Sequence, residues 1–253
     1  MMRPHRWLIL RLEAPLVSFG GVAIDHIGVT RDFPAASMLT GMIANALGWD
    51  RMDWRNHQAL QDHLVFASRI DREDPASALT DIQNVKLSAD DKGWTTGIKP
   101  ETRGSGEKTC ESPYRRKRDY FADAAVTIAL RLVAGNLEAC DLEPGLSLDS
   151  LAAALMRPKR PIFLGRKTCL PAAPVLHRDE SAPTAYEALA LVPAADGAKG
   201  PLRCCWPVGE GPVSGNSVLR IVDIADLRNW RTGLHGGSRR VVEGTLHWIG
   251  ATA

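Results

Sequence analysis

The sequence lacks the cysteine patterns of a zinc site or a disulfide framework. It contains five cysteines, an odd number, and none of them lies in a Cys-x-x-Cys pair. Cys204 and Cys205 are adjacent in the chain, and neighbouring cysteines seldom make a good structural bridge. We therefore expect reduced thiols, a cytoplasmic location and no zinc site.

The chain also has little net charge and few long apolar runs. The formal net charge is only +2, so a surface for nucleic acid would have to be local, made by separating basic from acidic residues. The apolar run at residues 7–10 is followed by Arg11 and Glu13, which makes it a poor signal-peptide core. No later segment is long and uncharged enough to span a bilayer. A hydrophobic content of 45% is ordinary for a soluble globular chain.

Several familiar catalytic motifs are missing as well. The glycine-rich phosphate motifs of the Walker and dinucleotide types are absent in their required spacing. The chain has no His-Glu-x-x-His pair and no Gly-x-Ser-x-Gly elbow. It also has no carboxylate cluster typical of a metal-dependent nuclease. We therefore expect neither a metal nor a cofactor.

What the chain does contain is a basic stretch, Arg157–Cys169, without any acidic residue. Gly165 divides its cations and would let the backbone take a positive φ or approach a ligand closely. Cations around such a point suit a phosphate backbone, because Lys and Arg contacts release counterions. The same residues also fit a solvated loop anchored by Ile162–Leu164. The cations of this basic stretch are Arg157, Lys159, Arg160, Arg166 and Lys167.

A second basic feature lies in residues 71–119, where apolar residues become sparse. Since a structureless loop of this length is improbable inside a compact domain, we expect a protruding hairpin or a partly disordered functional insertion. Its outgoing arm would be Thr80–Leu87, its mobile tip Gly97–Gly106 and its return arm Tyr114–Phe121. The return arm interleaves four cations with three aromatic residues, which suits unpaired RNA. A solvated strand whose aromatic residues pack at its root is the alternative.

Hydrophobic periodicity predicts the elements of the first part of the chain. Alternation predicts a strand with one buried face at Leu8–Glu13, ended by Pro15. Apolar residues at helical spacing predict a helix at Ala36–Leu47, with Gly48 as its C-terminal cap. Residues 49–63 would form a polar connection.

The remaining periodic segments complete an α+β fold. Strands are predicted at Leu64–Ile70 and Val126–Leu132, and a helix at Ser147–Met156 with Ser147 as its N-cap. This order fits a ferredoxin-like (RRM-like) βαββαβ domain with a protruding β-hairpin thumb. The domain would span residues 1–175, including the thumb at about 71–119, and a smaller β-rich region would span 176–253. Strand-like runs in that region are residues 202–208, 218–224 and 241–249.

Five passages of the N-terminal two thirds resemble, in order, the type I-E members of the fifth Cas protein family, which belongs to the RAMP superfamily. One departure concerns the turn into the first helix, where relatives tend to carry a basic residue and this chain has Ala35 and Ala36. The passages are Trp7–Leu16 with Ser18–Gly20, Thr30–Pro34 with the helix that ends at Gly48, Asp81–Val85, Arg118–Ala124 and Arg157–Cys169.

The resemblance implies a non-catalytic, RNA-binding subunit of the CRISPR surveillance complex Cascade, which acts in antiviral defence. Such subunits cap one end of the complex and hold the 5′ handle of the crRNA, while their thumb packs across the guide. The implied partners are crRNA, the backbone subunit CasC, the large subunit CasA and, through the assembled complex, target DNA.

The resemblance also implies roles for individual residues. The cations of the basic stretch, with Gly165 at its turn, would hold handle phosphates. Thumb cations would contact the guide backbone or neighbouring protein. The implied thumb residues are Lys99, Lys108, Arg115, Arg116, Lys117 and Arg118. The implied residues near the handle are Ser18, Phe19, Gly20 and Arg31.

Two other functions remain open. In type I-C relatives the same fold cleaves precursor crRNA without metal, using a tyrosine, a lysine and a histidine. Here His26, which follows the glycine loop, is the best catalytic candidate, although no histidine spacing pairs with Tyr114, Tyr120 or Tyr186. A general RNA-binding module outside CRISPR would need only the basic stretch and the hairpin.

Overall fold

The structure is a computed structural model that describes residues 3–21, 23–24, 26–73, 78–85, 92–94, 100–102, 114–133, 146–198 and 200–248. Its strands are β1 His5–Val17, β2 Ala23–Ile24, β3 Ile27–Gly28, β4 Leu64–Arg72, β5 Ala78–Val85, β6 Lys92–Trp94, β7 Pro100–Thr102, β8 Tyr114–Leu132, β9 Leu176–Ala182, β10 Leu202–Pro207, β11 Val218–Arg228 and β12 His235–Leu246. Its helices are α1 Ala36–Leu47, α2 Trp54–His63, α3 Leu148–Met156 and α4 Ala185–Ala190.

The described strands form a mostly antiparallel sheet of ten strands, so the chain has an α+β fold. The main order is β11-β12-β10-β4-β8-β1-β9, and β5 and β3 both pair with β8. The contact between β3 and β8 is parallel. A separate two-stranded ladder joins β6 and β7.

Strand β1 is buried on both faces, so the prediction of one buried face is wrong. Leu8 and Leu10 lie in a core with α1 and α3, whereas Trp7 and Ile9 lie in a second core with α4. The covering helix α4 comes from Ala185–Ala190, far along the chain, which is why a local pattern could not reveal it.

Strand β1 also continues through Pro15 to Val17, so the prediction that Pro15 ends it is wrong. The ladder to β9 stops at Leu10, whereas the ladder to β8 continues to Val17. Arg11 donates its backbone N–H to the carbonyl of Val175, on the β9 side of the strand. Pro15 lies an even number of residues further on, so its backbone nitrogen faces the same side. Proline is tolerated there because its missing N–H faces a side without a ladder.

Helices α1 and α3 confirm their predictions, and α2 corrects one. Gly48 ends α1 in the left-handed region at φ +83°, and Ser147 caps α3 through a reciprocal hydrogen-bonded pair with Ser150. Residues 54–63, predicted as part of a polar connection, form α2. This helix buries polar side chains, His57 and Gln61, beside Leu60, so its apolar stripe was too narrow to detect.

The insertion forms a hairpin where it is described. Strand β5 pairs antiparallel with the first part of β8, from Ala78 opposite Phe121 to Val85 opposite Tyr114. Strand β8 then runs on without interruption between β1 and β4, so the return arm and the next predicted strand are one element of 19 residues. Most of the predicted mobile tip lies outside the described residues, and so do the predicted site residues Lys99 and Lys108.

The C-terminal strands extend the same sheet. Cys204 and Cys205 of β10 pair with Arg69 and Ser68 of β4, and β12 and β11 follow outward. The division of the chain into regions 1–175 and 176–253 stays a prediction. Cys169, Cys204 and Cys205 are free and buried.

Candidate nucleic-acid interface

The basic stretch lies directly against the loop that follows β1. The backbone N–H of Ser18 donates to the carbonyl of Leu164 at 3.2 Å. Gly165 has φ +100°, and a Cβ at this position would lie 1.6 Å from the carbonyl oxygen of Ser18. The glycine is therefore required both by its conformation and by the close approach of a second backbone segment.

Two arginines of the basic stretch are already engaged within the chain. Arg166 donates to the carbonyl of Gly28 at 2.8 Å and to that of Asp119 at 3.0 Å. Its guanidinium also lies 4.7 Å from the centre of the Tyr120 ring. Arg160 donates to the carbonyl of Trp49 and pairs with Asp50, both at 2.6 Å. Both side chains hold the basic stretch in place, Arg166 against the root of the thumb and Arg160 against the end of α1.

The other three cations of the basic stretch, Arg157, Lys159 and Lys167, are exposed. The backbone N–H of Lys159 donates to Ala46 at 2.9 Å, which ties this part of the stretch to α1. Their side chains stand on the surface, where they can meet phosphate groups.

A cleft of about 770 Å³ opens between the β1 loop, α1, the basic stretch and the end of β11. It brings together six of the sequence-predicted residues, whereas Arg157, Lys159, Arg160 and Lys167 do not line it. The six are Ser18, Phe19, Gly20, Arg31, Gly165 and Arg166.

These predicted residues contribute to the cleft in different ways. Phe19 is only 1% exposed, so its ring belongs to the core, 6.4 Å from the ring of Phe121. Ser18 is equally buried, and its hydroxyl has no hydrogen-bond partner in the described part of the chain. Arg31 donates to the carbonyl of Ala225 at 2.7 Å, which fastens the β1 side of the cleft to β11.

The C-terminal wall of the cleft was missed from the sequence. Asp226 accepts the backbone N–H of Ala36 at 2.9 Å and so caps α1, which has no cap in its own N-terminal sequence. Its carboxylate also receives a forked pair of hydrogen bonds from Arg239, whose guanidinium lies 4.2 Å from the centre of the Phe66 ring. Asp226 lies 190 positions from Ala36, so no local sequence pattern could reveal this contact.

Arg228 is the second missed residue of this wall. Its Nε atom is buried and has no hydrogen-bond partner among the residues that the structure describes. The guanidinium lies 5.2 Å from the centre of the Trp230 ring, and that ring packs 4.7 Å from His57. Trp230 is held in turn by a hydrogen bond from its indole N–H to Gln61 at 3.1 Å. Arg228 is therefore oriented by an aromatic stack rather than by an acidic partner.

The cleft carries positive charge. Arg31, Arg166 and Arg228 line it, and the carboxylate of Asp226 is paired with Arg239. Asp226 is the one acidic residue among the described lining residues, and Arg239 offsets its charge, so the three arginines leave the cleft with a net positive charge that favours an anionic ligand.

The thumb cations divide between two faces. Successive side chains of a strand point to opposite faces, so Arg116 and Arg118 share the face of Tyr120. Tyr120 lies in the core with α1 and α3. Arg115 and Lys117 point to the opposite face. Strand alternation thus divides the four cations into two pairs, a distinction that the run of four cations did not reveal.

The candidate catalytic residues are dispersed. Tyr120 is 4% exposed beneath Arg166, and Tyr186 donates to the carbonyl of Thr245 in the core on the other face of the sheet. Burial raises the pKa of Tyr186, so less of it is present as the phenolate that could act as a base. His26 is exposed, and its carbonyl accepts the backbone N–H of Lys117 at 2.9 Å. Within the described ranges, acidic, histidine and cysteine side chains form no group of three that could hold a metal ion.

No helix in the described part of the chain is long and apolar enough to cross a membrane.

The fold and the cleft define an α+β protein with a positively charged groove beside a basic hairpin. Residues 7–242 match the family described as CRISPR-associated protein (Cas_Cas5), and the chain belongs to that family. The predicted resemblance to the fifth Cas family is thereby confirmed.

Individual relatives agree with this assignment. The chain is similar to the CRISPR system Cascade subunit CasD of Escherichia coli (strain K12), with 28% identity over 165 residues. The match covers 64% of this chain and 66% of that relative, just under two thirds of its length. A structure of a CRISPR RNA-guided surveillance complex contains a chain with 23% identity and a TM-score of 0.66, matched over 95% of this chain and 90% of that one. A crystal structure of a Cas protein matches with 21% identity and a TM-score of 0.53, over 95% of each chain.

Proposed function

We propose that this protein is a non-catalytic subunit of a type I-E Cascade complex. It binds and caps the 5′ handle of the crRNA and helps to position the guide for recognition of target DNA in antiviral defence. The observation that carries the proposal is the positively charged cleft, which the glycine turn of the basic stretch joins to the root of a basic hairpin.

The family and the relatives supply the biological setting. A relative is a Cascade subunit, and a similar chain lies in an RNA-guided surveillance complex. By this proposal the partners are crRNA, the CasC backbone subunits and the CasA large subunit, and the ribonucleoprotein complex works in the cytoplasm.

The arrangement of strands supports a ferredoxin-like interpretation of the fold. The strands β9, β1, β8 and β4 are adjacent in that order, with α1 between β1 and β4 in sequence and α3 between β8 and β9. RNA-binding RRM domains share such a topology, although topology alone does not give function.

The two kinds of cation have different tasks in this proposal. Lys159, Lys167 and Arg157 are exposed and contact handle phosphates, while Arg116 and Arg118 contact the guide from the thumb. Arg166 and Arg160 act mainly by holding the basic stretch in shape, because their guanidinium groups already bind carbonyl oxygens and Asp50.

The test compares RNA with and without a handle sequence. Replacement of Lys159 and Lys167 by Glu should weaken binding of handle-bearing RNA and reduce the salt dependence of the affinity, because phosphate contacts release counterions. Arg220→Gln is the control. Arg220 of β11 pairs with Glu243 of β12, and neither residue lines the cleft. Equal affinities of the double variant and the control for handle RNA would contradict the proposal.

A cleavage assay separates the non-catalytic role from its enzymatic alternative. Precursor repeat RNA is incubated with the purified protein without metal, alongside the His26→Ala variant. The proposal expects intact RNA in both reactions. Cleavage at a single site that disappears in the variant would instead identify a crRNA-processing endoribonuclease.

A further inference from the structure

Three exposed arginines outside the cleft have no carboxylate partner in the described part of the chain. Arg51 lies just before α2, Arg55 lies in the first turn of that helix, and Arg231 lies in the turn between β11 and β12. None of the three lines the cleft. We call these three residues the arginine patch.

The two segments that carry the arginine patch are fastened to each other. Gln61 of α2 donates its side-chain amide to the carbonyl of Arg228 at 2.9 Å, and it accepts the indole N–H of Trp230 at 3.1 Å. The turn itself is closed by a hydrogen bond from the backbone N–H of Gly233 to the carbonyl of Asn229 at 2.8 Å. The patch therefore stands on a fixed support.

The three side chains are brought together by an aromatic ring and by the same turn. The guanidinium groups of Arg55 and Arg231 lie 5.0 Å and 5.7 Å from the centre of the Trp54 ring. Nη2 of Arg51 lies 3.9 Å from the position that a Cβ of Gly233 would take. A guanidinium that stacks on a ring keeps its N–H donors at the edge, where an anion can accept from them.

The acidic residues of this region leave the patch positive. Asp50 pairs with Arg160 at 2.6 Å, so its charge is already offset. Asp53 is exposed, and its carboxylate accepts the backbone N–H of Asp50 at 2.7 Å. Three cations thus stand beside the one carboxylate of Asp53, and this excess favours a ligand with several negative charges.

The arrangement suits phosphates better than unpaired bases. Single strands are recognised largely by stacking of their bases on open aromatic rings. The ring of Trp54 is half-buried, and two guanidinium groups already occupy its surroundings. A duplex keeps its bases stacked inside and displays a regular array of phosphates, which arginine contacts without reading sequence.

We propose that the arginine patch binds the phosphate backbone of double-stranded DNA without sequence preference. The source of that duplex rests on the proposed function: only the guide pairs with target DNA, so the DNA that lies beside the handle is a duplex. The turn that carries Arg231 also lines the cleft through Trp230 and Gly233, which places the patch next to the bound handle. The chain then holds RNA in the cleft and the flanking DNA on α2.

The full chain is tested with a fluorescein-labelled DNA duplex of two helical turns and arbitrary sequence. Fluorescence anisotropy gives the affinity over a range of salt concentrations. In the triple variant Arg51→Gln, Arg55→Gln and Arg231→Gln, the affinity for duplex should fall about tenfold or more at low salt. The slope of log affinity against log salt concentration should become less steep by roughly two to three, because each phosphate contact contributes about 0.9.

Arg240→Gln is the matched control. Arg240 is exposed and has no carboxylate partner among the described residues, and strand alternation points it away from the face on which Arg239 packs against Phe66. Thermal melting of each variant identifies loss of folding. Arg51→Gln alone removes no ring contact of the described residues; it should lower the slope by about one and carries the test if the triple variant unfolds.

The proposal is overturned if the native chain does not bind duplex, or if the triple variant and Arg51→Gln bind it as Arg240→Gln does. Binding of handle-bearing RNA is measured in parallel and should be unchanged in the triple variant. An equal loss for handle RNA and duplex would make the patch part of the RNA site and would also overturn the proposal.

The same measurements separate this inference from the proposed function. A preference for handle RNA, with duplex binding that does not depend on the patch, refutes the patch alone. Duplex binding that the triple variant loses, without any preference for handle RNA, refutes the proposed function alone.

Discussion

Replacement of Gly165 by Ala offers a direct test of the contact between the basic stretch and the β1 loop. An L-residue at φ +100° is strained by about 1–2 kcal/mol. The new Cβ would also lie 1.6 Å from the carbonyl oxygen of Ser18, so the two segments must separate. That movement breaks the hydrogen bond from Ser18 to Leu164, which contributes about 1 kcal/mol.

These terms together predict that Gly165→Ala lowers the free energy of unfolding by about 2–3 kcal/mol, before any further loss of packing. For a chain of this size the melting temperature should fall by roughly 4–12 °C. The assay is thermal unfolding followed by circular dichroism, with a urea titration as a second measurement.

Gly209→Ala is the matched control. Gly209 has φ +95°, but a Cβ there would meet nothing within 4 Å, so this variant has the conformational strain without the clash. It should lose only about 1–2 kcal/mol. If the two variants melt at the same temperature, the close approach of the basic stretch to Ser18 does not contribute to stability and the reasoning is refuted.

Three other predictions follow from the described contacts. Asp226→Asn should destabilise the chain by about 3 kcal/mol in urea unfolding, because it leaves the Arg239 charge without its partner; a loss below about 1 kcal/mol would contradict this. Burial raises the pKa of the Cys205 thiol to about 12, so at pH 8 iodoacetamide should label Cys205 only after unfolding, as mapped by mass spectrometry; rapid labelling of the native chain would disprove it. Arg116→Glu should reduce the affinity for RNA and lower the slope of log affinity against log salt concentration by about one. Arg115→Glu, on the opposite face of the thumb, should have a smaller effect on both; equal effects would contradict the division of the faces.

The sequence was informative where a pattern is local. Helix α1 with its Gly48 cap, helix α3 with Ser147, and the hairpin arms all follow from spacing and capping within a few residues. Gly165 was also identified correctly as a special backbone position, although the group that approaches it is the backbone of Ser18.

The C-terminal wall could not be predicted because its contacts are distant in the chain. Asp226 caps a helix that begins 190 residues earlier, and Arg228 is oriented by Trp230 and, through it, by α2. Helix α2 itself was missed because it buries His57 and Gln61 instead of a wide apolar stripe. The roles of Arg160 and Arg166 were equally hidden, since composition shows a cation but not the carbonyl that already binds it.

The continuity of β8 places a constraint on how the thumb can vary. The same strand carries Val126, Ile128 and Leu130 in the core and Arg116 and Arg118 in the hairpin, so the buried residues set the face to which these two cations point. Deletion of one residue between the two halves would turn Arg116 and Arg118 to the opposite face, while deletion of two would leave them on the same face and move them about 7 Å along the strand. The length of the thumb can therefore change in steps of two residues without moving its cations to the opposite face of the strand.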